Sequence, residues 1–271
     1  MVFIGIYKIL KVRICACDYE YILGAVKKAI EKRKIFLVSP IASQTLVRAF
    51  FNSQLRFVLN KYDELYPDSQ WVKRAILFLY GRRLKDRVYG PTLMKRVCAL
   101  AEVQKYRIFL YGTTGQTLRR LVKKLNYHYT RLQIAGTSES KFASLTTAQK
   151  HNLISFIESQ KTNILLIALG SPLEQEFCYS LIHKKPNLTK PIVVLPVGAA
   201  FDFIAGIKPQ APRWMQEAGL EWFYRFCSEP ARLWYRYFIL GPLFILFITS
   251  EKIAQLFNIA NSIIMKRKII G

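Results

Sequence analysis

The sequence is short of acid: 17 Asp and Glu stand against 41 Lys and Arg, a formal net charge of +24. Such a chain attracts a polyanion, whether nucleic acid, anionic lipid or a phosphorylated substrate. No basic run or nucleic-acid reading module accompanies the charge, because the cations are spread through apolar and aromatic sequence; that points to lipid and diphosphate. Cysteine is scarce and odd in number: Cys15, Cys17, Cys98, Cys178 and Cys227 lie mostly in apolar stretches, which argues against a disulfide framework and for reduced, cytosolic thiols. His128, His151 and His183 have no ligand spacing to Cys15-Ala16-Cys17, so a zinc site is not expected. The longest apolar run of the tail, Phe238–Thr249, is shorter than the roughly 20 residues that cross a bilayer, which suits lying on a membrane rather than spanning it. Met1 to Leu10 is apolar but carries Lys8 and no small-residue cleavage site, so no signal peptide is expected and the chain should stay in the cytoplasm. Internal repeats and low-complexity linkers are missing as well.

What is present is 271 residues with 52% hydrophobic content, enough for one substantial core. From about residue 11 to 198, short β-branched runs alternate with amphipathic stretches, the pattern of strand-helix units around a parallel sheet. Strands are expected at Val12–Cys17, Ile35–Ser39, Arg107–Tyr111, Arg131–Ala135, Ile164–Leu169 and Ile192–Val197. Helices are expected at Tyr19–Lys34, Gln44–Tyr62 and Gly115–Leu125. Glu64–Tyr89, with the turn signal Pro67-Asp68-Ser69 beside a strand-like run, is an excursion from the sheet. The fold class is therefore α/β, a Rossmann-like parallel sheet flanked by helices. Residues 1–206 are expected to form the core and 207–271 a helical, membrane-associating appendage. In the appendage, aromatic and basic residues alternate between Lys208 and Tyr237, and Glu251–Gly271 shows helical spacing ending in Lys266-Arg267-Lys268.

Loops that follow strands in an open α/β sheet form its ligand crevice, which directs attention to Ser39, Gly112, Gly170 and Gly198. Tyr111-Gly112-Thr113-Thr114-Gly115 links a strand to a helix, where backbone N–H groups can hold an anion, although glycine also serves ordinary turns. Gly170-Ser171-Pro172-Leu173-Glu174-Gln175-Glu176 offers polar groups for sugar hydroxyls or a base, or else a helix start with Pro172 in its first turn.

The block Val197-Gly198-Ala199-Ala200-Phe201-Asp202-Phe203-Ile204-Ala205-Gly206 is followed by Gln210-Ala211-Pro212-Arg213-Trp214, Gly219-Leu220-Glu221-Trp222-Phe223-Tyr224-Arg225, Glu229-Pro230-Ala231-Arg232 and Arg236-Tyr237. This string closely resembles the WecG/TagA/CpsF family of bacterial glycosyltransferases. The resemblance continues upstream through Pro67-Asp68-Ser69, Asp86-Arg87-Val88-Tyr89-Gly90-Pro91 and Phe109-Leu110-Tyr111-Gly112, and covers roughly residues 10 to 240. It implies inverting transfer of a hexose or N-acetylhexosamine, such as N-acetylmannosamine, from a UDP-sugar to an undecaprenyl-diphosphate-linked sugar, in synthesis of teichoic acid, enterobacterial common antigen or exopolysaccharide. The sequence departs from the family pattern in Ser69 where Gly is usual, in Ser39-Pro40-Ile41 where Thr-x-Asn is usual, and at Glu174-Gln175, where the usual Gln-Glu is either exchanged or shifted by one onto Gln175-Glu176. Gln210, where many members carry Arg, resembles the exopolysaccharide branch.

On this reading Asp68 matches the family's catalytic aspartate and is the base that takes the acceptor proton. Arg213, Arg225, Arg232 and Arg236 would meet the diphosphate, since arginine pairs bidentately with phosphate and keeps its charge. Substrate contacts are assigned to Ser39, Arg87, Gly112, Gly170, Pro172, Glu174, Gln175, Gly198 and Asp202, the last either orienting donor hydroxyls or holding the glycine turn. No Asp-x-Asp follows a strand, so neither metal nor cofactor is expected. The expected partners are the UDP-sugar, the lipid-linked acceptor and an anionic membrane surface, with no nucleic acid and with homo-oligomerisation left open. The expected place is the cytoplasmic face of the bacterial inner membrane, as a peripheral protein. Two other classes stay open at this stage: a non-catalytic membrane scaffold and a basic nucleic-acid binder.

Overall fold

The computed structural model describes residues 3–140 and 145–270, without the side chains of residues 213, 217 and 259–270. It opens with an antiparallel hairpin of β1 (Phe3–Ile9) and β2 (Val12–Cys17), turned by Leu10 and Lys11, which both take positive φ. The sequence pattern places Val12–Cys17 in the main sheet, and this is corrected: an apolar run signals burial, not the identity of its partner strand, and β2 pairs only with β1 among the described residues.

There follow α1 (Tyr19–Glu31), β3 (Phe36–Ile41), α2 (Ser43–Phe51), α3 (Ser53–Asn60), β4 (Glu64–Pro67), α4 (Gln70–Tyr80) and α5 (Gly90–Gln104). Then come β5 (Arg107–Gly112), α6 (Gly115–His128), β6 (Gln133–Ser138), α7 (Thr147–Ser159), β7 (Ile164–Ala168), α8 (Leu173–His183), β8 (Val193–Pro196) and α9 (Ala200–Ile204). The stretch Gln44–Tyr62 is two helices rather than one. Asn52 leaves the helical region (φ −110°, ψ 103°) and its side chain accepts the Leu55 N–H, capping α3.

The six strands β4-β3-β8-β7-β5-β6 form one parallel sheet in that order, and the α/β expectation holds. Side chains of period two supply two separate cores. Leu37, Phe109, Leu165, Ile167 and Val194 face one side with α2, α3, α4 and α8. Val38, Ile108, Leu110, Leu166 and Leu195 face the other with α1, α5, α6 and α9. After β3 the chain turns to the first face, and after β8 to the second. A crevice therefore opens between the carboxyl ends of β3 and β8, as the topology of open sheets requires.

Beyond Gly206 the described chain is helical: α10 (Arg213–Ala218), α11 (Glu221–Ser228), α12 (Pro230–Tyr235), a π turn at Arg236–Leu240, and α13 (Gly241–Ile270). Pro242 has no N–H and its ring crowds the carbonyl one turn back, which a wider turn just before it relieves. Leu240, Phe244 and Ile248 are buried against α2 and α4, and Phe247 stacks on Phe50 with centroids 4.5 Å apart. Glu251 accepts the Leu10 N–H at 3.2 Å, and Lys252 Nζ donates to the Leu79 carbonyl at 3.2 Å. The opposite side of the helix exposes Phe238, Ile245, Leu246, Ile253, Leu256 and Phe257. The length argument drawn from Phe238–Thr249 is revised, because Pro230–Asn258 is one helical segment of 29 residues, long and apolar enough by itself to cross a membrane. Lys266, Arg267 and Lys268 lie outside the described side chains.

Candidate active site

Two cavities meet at the carboxyl ends of the strands. The larger, of about 260 Å³, is walled by the start of α4, by α11 and by the π turn; Asp68, Arg87, Glu221, Arg225 and Arg236 supply its charged groups. The second, of about 160 Å³, occupies the crevice at β3 and β8, with Gly170, Glu174, Gln175, Gly198 and Arg232 in its wall. Asp68, Gln44, Tyr89, Arg225 and Arg236 line both. The carboxylate is thus on the partition between two compartments.

Asp68 reaches this place because β4 ends at Pro67 and the chain turns into α4. Its N–H donates to the Ile41 carbonyl at the end of β3, and its Oδ1 accepts the Gly90 N–H at 3.1 Å. Ser69, in place of the usual glycine, is not idle: its Oγ accepts the N–H groups of Val72 and Ser43, capping α4 and tying it to the start of α2. Burial pushes the Asp68 pKa up, and Glu221 adds to this, while the charges of Arg87 and Arg236 and the Gly90 N–H oppose it. The outcome is a carboxylate above its ordinary range, better matched to proton abstraction near neutrality than a surface aspartate.

Arg87 forms a buried ion pair with Glu221 and stacks on Tyr89 at 4.3 Å. Glu221 also reaches Arg225 at 3.8 Å, one helical turn on. Arg225 lies over Phe203, and Arg232 pairs with Glu229. Arg236 differs: it is half-buried, burial lowers its pKa, and its Nε is buried with no hydrogen-bond partner. A buried cation left without a bonded anion is costly, and a phosphate oxygen would satisfy it. Arg225, Arg232 and Arg236 all line the crevice, whereas the Arg213 assignment falls outside the described side chains.

The substrate-contact assignments divide. Gly170, Glu174, Gln175 and Gly198 line the crevice and Arg87 the larger cavity. Ser39 does not: it is fully buried in β3, donates to the Pro40 carbonyl and accepts from Gln175 Nε2. Pro172 starts α8 without lining either cavity, and it is Ser171, bonded to Thr45, that faces the crevice. Gly112 has a local reason: φ is +117° and a Cβ would stand 2.3 Å from the Ala168 carbonyl oxygen. At the helix start beyond it, Glu139 already accepts the Gly115 N–H at 2.9 Å. Asp202 holds the turn, its carbonyl accepting from Ile207 and its carboxylate pairing with Lys208 at 3.4 Å. Sequence reasoning passed over Glu221 and Tyr89, which it quoted only as motif letters, and Gln44. The spacing of Glu221 to Arg225 on one helix face was the available signal for the first.

Glu174 is the crevice's organiser. Its Oε2 accepts the N–H groups of Leu169, Gly170 and Gly198, tying the loops after β7 and β8 together. Burial raises its pKa to about 7, against the pull of those three N–H groups and with help from the charge of Asp68. The folded state then holds this proton more tightly than the unfolded chain. Its stabilising contribution is complete below about pH 4.5 and is lost as pH rises through about 7, a change on the order of 3 kcal/mol. Urea unfolding at pH 5 and pH 8 should show that loss in the wild type and a smaller one in Glu174→Gln; equal losses would leave Glu174 ionised throughout.

Residues 7–257 match the glycosyl transferase WecG/TagA/CpsF family model. An N-acetylglucosaminyldiphosphoundecaprenol N-acetyl-beta-D-mannosaminyltransferase of Bacillus subtilis is 30% identical over 226 residues, which is 83% of this chain and 84% of that protein. The protein of the same description from Bacillus spizizenii is 28% identical over 184 residues, 68% of each chain. With four-fifths of one relative spanned and a match over nearly the whole chain, the protein belongs to the WecG/TagA/CpsF family of glycosyltransferases.

Proposed function

We propose that the protein transfers N-acetylmannosamine from a UDP-sugar to an undecaprenyl-diphosphate-linked N-acetylglucosamine, with inversion, in synthesis of a cell-surface polymer. The observation that carries this reading is the position of Asp68 on the partition between two cavities, with Arg225 and Arg236 shared by both. A single displacement needs donor and acceptor on either side of one point, with a base on the acceptor hydroxyl and cations on the departing diphosphate. The crevice at β3 and β8 takes the donor, in the usual place for nucleotides on open sheets. The larger cavity takes the acceptor sugar. Asp68 removes the acceptor proton, Arg87 and Glu221 hold its surroundings in register, and Arg225, Arg232 and Arg236 neutralise the charge that grows on UDP. The names of the two relatives support the sugar and acceptor; they lend nothing to the exopolysaccharide branch suggested by Gln210, whose side chain bonds Tyr89.

The acceptor's lipid and the exposed apolar side of α13 support a peripheral place on the cytoplasmic face of the membrane. The helix lies along the domain through Leu240, Phe244 and Ile248, a packing that favours resting on the bilayer over crossing it.

The test is transfer by purified protein from UDP-N-acetylmannosamine to N-acetylglucosaminyl diphosphate carrying a short alkyl chain, followed by chromatography of the product. Turnover is expected, and it should survive EDTA because arginines carry the charge of the leaving group. Failure with this donor but success with another UDP-sugar would replace the sugar. Activity lost to EDTA and restored by magnesium or manganese would refute the arginine mechanism.

A further inference from the structure

A lipid-linked acceptor is an amphiphile, and seating its sugar beside Asp68 in the larger cavity forces a decision about its hydrocarbon. The larger cavity is polar at the Asp68 end and apolar at the other, where Trp71, Phe238, Pro242 and Ile245 form the wall. Trp71 and Ile245 are also the first residues of a second hollow, of about 190 Å³, that runs between α4 and α13. Its floor is Ala75, Phe244 and Ile248, all buried, and its outer edge is Phe78 and Thr249. The two spaces adjoin at Trp71 and Ile245, which wall both, and no carboxylate among the described residues lines the second.

Arg74 lines the hollow and Lys252 lies near its edge. The Arg74 guanidinium lies over the Trp71 ring at 5.6 Å, and Lys252 Nζ lies 5.9 Å from the centre of the Phe78 ring. Arg74 is exposed and lays its hydrocarbon along the hollow with its charge outward, the arrangement that meets an anionic membrane surface, whereas Lys252 turns its Nζ to the Leu79 carbonyl. Exposed Trp71, Phe78 and Ile245 would be unfavourable in water without something apolar to cover them.

We infer that the hollow between α4 and α13 takes the first isoprene units of the acceptor's polyprenyl chain as it passes from the diphosphate to the bilayer. This rests on the acceptor reading above and adds a binding subsite to it. Wild-type enzyme should then prefer long-chain acceptors beyond any effect of membrane recruitment. The residues at the outer edge of the hollow should set that preference without touching the chemistry.

The experiment compares Phe78→Glu, which puts a charge at the edge, with Thr249→Trp, which fills the space without one. Both positions are exposed, so both proteins should fold, as circular dichroism would verify. The value of kcat/KM is measured in detergent micelles with N-acetylglucosaminyl diphosphate on a short alkyl chain and on undecaprenol, and co-sedimentation with vesicles containing phosphatidylglycerol is measured alongside. Both variants are expected to lose about tenfold or more on the undecaprenyl acceptor and to match wild type on the short one. Equal loss on both acceptors, or on neither, would overturn the subsite. Loss of vesicle binding with unchanged chain preference in micelles would instead make this face a bilayer contact. Wild-type enzyme inactive on every acceptor would sink the proposed function itself, and the subsite with it.

Discussion

Asp68→Asn is expected to cut kcat by about a hundredfold or more, the scale for loss of a general base, while leaving the fold intact. The substitution keeps the shape of the side chain and an oxygen for the Gly90 N–H, which Asp68 now accepts at 3.1 Å. It removes a carboxylate whose ionised form burial already disfavours, so thermal stability should hold or rise slightly. Binding of the UDP-sugar, followed by calorimetry, should stay near the wild-type value, because the crevice is built mainly by the loops after β7 and β8. In the wild type, activity should rise with pH through the pKa of Asp68, above the ordinary aspartate range, and the residual activity of the variant should lack that limb. A variant with near-full turnover would remove Asp68 from the mechanism. One that unfolds would make the residue a structural link between β3 and α5.

This prediction was available from sequence because Pro67-Asp68-Ser69 resembles the family's motif with its catalytic aspartate and stands in an irregular stretch. The parallel strands were legible for a similar reason: runs such as Ile164–Ala168 are buried on both faces and have no polar period. The four residues of β4 (Glu64–Pro67) were not, since a strand so short, beginning with Glu64 and ending at a proline, looks like part of the turn that follows it. Helix Gln70–Tyr80 was hidden in the same excursion, and Gly90–Gln104, with Pro91 in its first turn, followed it unread.

Glycines were read too generously. Gly112 and Gly198 look alike in sequence, each after a strand and each with positive φ, but a Cβ at Gly112 would strike the neighbouring strand whereas Gly198 opens on the crevice. Ser39 shows the converse: the end of β3 does line the crevice, through Pro40, but strand alternation turns the preceding side chain into the interior. The charge surplus alone also admitted a scaffold or a nucleic-acid binder, and it is family membership that makes the chain an enzyme.

The arginines pose a sharper question, because a cation can serve either the fold or the ligand, and Arg236 is the position where the two roles predict opposite results. Its neighbours Arg225 and Arg232 repel it, Asp68 attracts it, and its Nε is buried without a partner. As a stabilising element it is poorly arranged, since a buried charge recovers its desolvation cost only through good pairing. Arg236→Met, close in volume and apolar, should therefore fold as well as wild type or better, with an unchanged or higher Tm. Turnover should still fall by about a hundred- to a thousandfold, the usual cost of removing one donor from a developing oxyanion. A second readout follows from Asp68. Arg236 is one of the charges that pull its pKa down, so removing it should move the acid limb of kcat/KM to higher pH. Restoration of part of the rate by Arg236→Lys, which keeps a point charge without the paired geometry, would fit phosphate binding. A variant with lower Tm, retained turnover and an unmoved pH limb would assign Arg236 to the packing of the π turn instead.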